Sequence, residues 1–138
     1  GKIWMDTRIQ SQYFARKTLK ELSRQYWRYG FWKAQMLKRY PKTLRLRQAL
    51  PPLFVLSLLG LSIGAYMHPL PALLVLIELG LYLLVLLAVA TQMAIKTKQP
   101  KFLYSVPLAI ATMHFSWGAG FLRGLLTRNE VKAEKEQK

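Results

Sequence analysis

The chain has 138 residues, 21 Lys and Arg against 6 Asp and Glu, a formal net charge of +15, two histidines and no cysteine. Disulfides and thiolate metal sites are therefore excluded, and His68 and His114, isolated from each other in the chain, do not make a metal site by themselves. A positive excess of this size suits nucleic acid, anionic lipid or phosphorylated substrates.

The charge is unevenly placed. Residues 1–48 hold thirteen basic and two acidic groups, residues 49–95 hold only Glu78, and residues 96–138 hold eight basic and three acidic groups. A basic arm leading into a long uncharged apolar stretch is the layout of a membrane protein whose cationic part stays cytoplasmic. The apolar runs favour lipid and phosphate as partners over nucleic acid, for which no separate folded scaffold is visible.

The chain starts at Gly1 without the short basic start and apolar run of a signal peptide. The expectation is a C-terminal piece of a larger protein, with a true start at Gly1 by processing as the alternative. Lys2–Asp6 reads as a short strand or extended entry, and Thr7–Gln12 as a turn into a helix. From Tyr13 to Tyr40 the pattern is helical, with Leu19, Leu22, Tyr26 and Tyr29 at spacings of three and four. Gly30 is expected to break this run in two, and Pro41 to end it. With Arg16, Lys17, Lys20, Arg24, Arg28 and Lys33 between the apolar positions, residues 13–48 read as a basic amphipathic helix at a membrane interface. The competing reading is an amphipathic helix packed on a soluble domain.

Ala49–Met67 is the first expected span, about 29 Å long at the helical rise. Its Pro51 and Pro52 are expected in the first turn, and Gly60, Ser62 and Gly64 offer a surface for close helix approach. A tight link at 68–71 leads into the second span, Ala72–Ile95, of about 36 Å. The two form a helical hairpin. The basic loop Lys96–Lys101 and the N-terminal arm face the cytoplasm by the positive-inside rule, and the His68 link faces outward. Phe102–Leu122 is a weaker apolar segment, containing Pro107, His114, Gly118 and Gly120. It is expected to be a third membrane-embedded helix, spanning or re-entrant. Residues 127–138 are charged and read as a polar tail. The expected class is thus an all-α membrane protein with a short extended N-terminal segment.

Few residues carry chemistry. Glu78 is an intramembrane carboxylate and His114 a second embedded polar group, each as readily a helix–helix hydrogen bond as a functional site. Trp4, Trp27, Trp32 and Trp117 read as interfacial anchors or packing residues. No acid pair and no nucleophile–base pair is present. The sharpest local feature is Arg24-Gln25-Tyr26-Trp27-Arg28-Tyr29-Gly30, followed by Trp32-Lys33. It places guanidinium donors for phosphate oxygens beside flat aromatic faces.

Those residues, with 45–54 (Arg45-Leu46-Arg47-Gln48-Ala49-Leu50-Pro51-Pro52-Leu53-Phe54) and 114–121 (His114-Phe115-Ser116-Trp117-Gly118-Ala119-Gly120-Phe121), resemble the C-terminal portion of bacterial family 2 glycosyltransferases of the succinoglycan and exopolysaccharide type. The resemblance covers about Gly1 to Leu126. It implies that residues 1–12 end a nucleotide-sugar-binding domain carrying the catalytic base and a divalent metal, Mg or Mn. Membrane-bound members often carry Gln-x-x-Arg-Trp near the end of that domain. By that likeness Gln25 and Arg28 would engage the donor diphosphate, and Tyr29 would replace the acceptor-site Trp. Arg24, Trp27, Trp32 and Lys33 would lie at the membrane interface. The implied partners are membrane lipids, a nucleotide-sugar donor and a polyprenyl-linked acceptor at the bacterial inner membrane. Without its catalytic domain this stretch is not expected to be active. A non-enzymatic membrane adaptor with a lipid-binding basic helix is the alternative.

Overall fold

The computed structural model describes residues 16–43 and 45–127. The extended segment expected at Lys2–Asp6, the turn at Thr7–Gln12, Trp4 and the tail from residue 128 lie outside them. Among the described residues there are four helices and no strand: α1 Leu19–Arg39, α2 Leu46–Gly64, α3 Pro69–Thr97 and α4 Phe102–Leu126, with a 3-10 turn at Pro41–Thr43.

Each boundary has a local cause. Thr18 is extended and its hydroxyl accepts from the Glu21 N–H, which starts α1 with an acid in its first, electropositive turn. Lys38 and Arg39 fall in its last turn, and Pro41 follows. Gly30 does not break α1, contrary to expectation: the helix runs unbroken through it, because α4 lies against it and needs the missing side chain.

α2 starts three residues earlier than the sequence reading placed it, at Leu46. Arg45 is its extended N-cap, and Gln48 Oε1 accepts from the Arg45 N–H at 3.3 Å. Pro51 and Pro52 consequently lie inside the helix, not in its first turn. A proline there leaves the carbonyl four residues back without its donor. For Pro52 that carbonyl is Gln48, and the Trp117 indole of α4 donates to it at 3.3 Å. His68 opens α3, its Nδ1 accepting from the Leu70 N–H at 3.1 Å, with Pro69 at the first helical position. Lys98 closes α3 in a left-handed conformation (φ 54°), its N–H directed to the Ala94 and Ile95 carbonyls.

α2 and α3 form an antiparallel hairpin, joined near Gly64 and Pro71 and meeting again at Ser57–Glu78 and Phe54–Tyr82. Both helices are long and apolar enough to cross a membrane. Only 11% of the apolar window of α2 and 6% of that of α3 is buried. α4 packs on α3 with its first half and runs parallel to α1 with its second.

The α1–α4 pair is held backbone to backbone. A Cβ at Gly120 would lie 2.3 Å from the Trp27 carbonyl oxygen, and one at Gly30 would lie 2.2 Å from that of Trp117. Gly124 approaches the Phe31 carbonyl and the Ala34 Cβ in the same way. Small residues at these spacings allow such closeness. Gly118 serves the contact with α2, against the Pro51 carbonyl and Val55. Gly60, expected at a helix contact, instead faces open space.

Candidate functional site: the free face of α1 and a buried polar cluster

α1 buries Gly30, Ala34 and Gln35 against α4, and Ser116 Oγ donates to Ser23 Oγ at 2.8 Å. The small-residue stripe, not the aromatic one, is thus the packing face. Its consequence is that Gln25, Arg28, Tyr29 and Trp32, at i, i+3, i+4 and i+7, share the side turned away from α4. Arg28, Tyr29 and Trp32 are exposed. The Gln25 amide is fixed from both ends. Arg16 Nε donates to Gln25 Oε1 at 2.7 Å, and Gln25 Nε2 donates to the Tyr29 hydroxyl at 2.8 Å. Tyr26 packs on Tyr29 with ring centroids 5.9 Å apart, which holds the phenol in place.

Arg28 has no hydrogen-bond or ion-pair partner among the described residues. Its guanidinium is left on an open surface, one turn after Gln25 and adjacent in the chain to Tyr29. A planar five-donor fork in that setting suits a phosphate or carboxylate from outside. Arg24 and Trp27 are also exposed, but Trp27 presents its backbone to Gly120, so its place is fixed by packing. Lys33 donates to the Thr43 carbonyl at 2.9 Å and so ties the 3-10 turn back onto α1.

The C-terminal end of α4 is capped from α1. Gln35 Nε2 donates to the carbonyls of Gly124 (2.9 Å) and Thr127 (3.4 Å), and Lys38 Nζ donates to Thr127 as well. These are the orphan carbonyls of a helix end, where a cation also suits the dipole.

Glu78 and His114 come together in one apolar cleft between α2, α3 and α4, of about 700 Å³, lined also by Phe54, Tyr82 and Met113. Ser57 Oγ donates to Glu78 Oε1, while Glu78 Oε2 is buried without a partner. The Tyr82 hydroxyl and His114 Nδ1 are 3.2 Å apart. Ser57 and Tyr82 were not singled out in the sequence. Tyr82 falls one helical turn after Glu78, a spacing that signals a shared face once a polar cluster is sought. Among the described residues no three of His, Cys, Asp or Glu are grouped to hold a metal.

No family model matches the chain, and no curated protein or solved structure matches it.

Proposed function

We propose that the chain is the membrane-anchoring part of a glycosyltransferase, holding a phosphate-binding α1 face at the inner surface of a bacterial cytoplasmic membrane. The observation that carries the membrane half is the exposure of α2 and α3. Leu53, Leu56, Leu59, Leu73, Leu76 and Leu84 are each more than half exposed, within helices that carry almost no charge. Water would meet an apolar surface far larger than the few hundred Å² that soluble monomers present, and hydrocarbon removes that cost. The α1 arm then contributes about 1 kcal/mol for each Lys or Arg near an anionic leaflet.

The glycosyltransferase half rests on the sequence resemblance, and the α1 geometry supports it. Gln25, Arg28 and Tyr29 share an open face with the amide already oriented. In an inverting displacement an acceptor hydroxyl attacks the anomeric carbon of the nucleotide sugar, and the diphosphate departs with the bonding electrons. Arg28 would hold phosphate oxygens of that leaving group through paired N–H donors, Gln25 would add an amide donor, and Tyr29 would offer a ring to the acceptor sugar. The hairpin would keep this face at the depth where a polyprenyl-linked acceptor presents its headgroup. A divalent metal, Mg or Mn, would belong to the nucleotide-sugar-binding domain.

Arg28→Ala in the full-length enzyme tests the reading. Sugar transfer to a lipid acceptor is expected to fall by most of its rate, with membrane insertion unchanged. Wild-type turnover would refute the phosphate role. Release of the unmodified chain from vesicles by alkaline carbonate would refute the anchor. A membrane-held full-length protein that transfers no sugar would favour the adaptor.

A further inference from the structure

The fourth helix, α4, does not follow the course of a spanning segment. The hairpin fixes which end of α2 is which: Gly64 packs on Pro71 at the link, and Leu46 is at the opposite end, where the basic arm joins. A helix that crossed alongside α2 and ended on the link side would bring its last turns beside Leu59–Gly64. Instead the Trp117 indole donates to the Gln48 carbonyl, and Gly118 sits against Pro51 and Val55, all in the first three turns of α2. Past Gly118 the helix leaves α2 and runs along α1. Gly120 meets Trp27, Gly124 meets Phe31 and Ala34, and the last carbonyls are capped by Gln35 and Lys38.

α1 settles the environment of that second half. Residues 16–47 hold eleven Lys and Arg and one acid, Glu21, and α4 adds Arg123 in its own last turn. Charges in that number are excluded from hydrocarbon but match a layer of anionic headgroups. Trp27, Trp32 and Tyr29 are exposed on the same helix, and aromatic rings of this kind favour headgroup depth. Because α1 and α4 touch backbone to backbone, the two share one depth.

We infer that α1 and the second half of α4 form one platform against the anionic headgroups of the leaflet from which α2 enters, so that α4, one unbroken helix, ends at the leaflet where it begins and does not cross. Both ends of the described chain then face the same compartment. The positive-inside rule favours this side, since the sequence after Thr127 carries Arg128, Lys132, Lys135 and Lys138. The inference rests on the spanning hairpin proposed above.

The chain has no cysteine, so single substitutions report cleanly. Lys17→Cys, Met67→Cys, Gln99→Cys and Leu126→Cys all fall at exposed positions. Each full-length variant is treated with a membrane-impermeant maleimide in right-side-out and in inverted vesicles. Labelling at positions 17, 99 and 126 is expected in inverted vesicles and lost in right-side-out ones, with position 67 showing the reverse. If position 126 follows 67 while 17 and 99 remain opposite, α4 crosses, and the platform is overturned although the hairpin stands. If 67 follows 17, the hairpin itself fails and takes the platform with it. A nitroxide at position 126 should report headgroup depth from its relative collisions with oxygen and a water-soluble nickel chelate. A depth at the bilayer centre, or full exposure to bulk water, would also overturn the platform.

Discussion

Replacing Gly120 by Ala tests the contact on which the α1–α4 pair depends. The added Cβ would lie 2.3 Å from the Trp27 carbonyl oxygen and 2.9 Å from its carbonyl carbon. Ordinary contact begins near 3.4 Å, so α1 and α4 must part by roughly 1 Å. No rotamer change relieves this, since the obstacle is backbone. Overpacking of this kind costs about 1–3 kcal/mol, and a gap of about 1 Å forfeits up to half the dispersion energy along the seam. The upper end applies here, offset by about 1 kcal/mol from the better helix propensity of Ala. A net loss of about 2 kcal/mol is expected. Gly80→Ala is the control: nothing lies within 4 Å of that Cβ, so it should be neutral or stabilising. Reversible unfolding in mixed detergent micelles, followed by tryptophan fluorescence, measures both. Gly30→Ala should cost a similar amount, yet the double variant should cost less than the sum, because one separation accommodates both methyl groups. Equal stability of the Gly120 and Gly80 variants would refute the reasoning.

Trp117→Phe should cost about 1 kcal/mol by removing the donor to the Gln48 carbonyl, measured by the same unfolding assay. That cost should shrink on a Pro52→Ala background, where residue 52 regains an N–H for the same carbonyl. Ser57→Ala should destabilise by about 1–3 kcal/mol, because it strands a second oxygen of Glu78, and should become nearly neutral when Glu78 is already Leu. Gln35→Ala, read by amide exchange at the end of α4, should speed opening there while leaving α2 and α3 protected, since the capped carbonyls are those of Gly124 and Thr127.

The two long apolar helices were legible because residues 49–95 are almost without charge, a signal that needs no knowledge of packing. Their edges were less so. Met67 was expected inside the first helix, whereas the chain leaves it after Gly64, and the two prolines that seemed to mark its start are interior ones with a tertiary donor nearby. In α1 the regular recurrence of aromatic and aliphatic residues marks a face that stays largely exposed, and it does not show where α4 packs. The face that packs is Ser23, Gly30 and Ala34, small residues whose importance appears only when a second backbone is brought against them. For the same reason Gly30 resembled a break. The course of α4 was open in the sequence because its apolar content is intermediate, and what directs it is a set of contacts with residues about ninety positions earlier. Glu78 and His114 were visible one at a time; the Ser57 and Tyr82 groups that bond to them lie on neighbouring helices, 21 and 32 residues away in the sequence.

The separation of 93 residues between Ser23 and Ser116 also has a meaning in time. At about 5–20 residues per second, a ribosome that has finished the first of these serines needs about 5–20 s to reach the second. Throughout that interval α1 has no partner for its small-residue face, while α2 and α3, joined by a short link, can already close on each other. An unaccompanied cationic helix resting on lipid during synthesis would be kept from straying by the bilayer itself, which makes the order of manufacture part of how the pair is assembled.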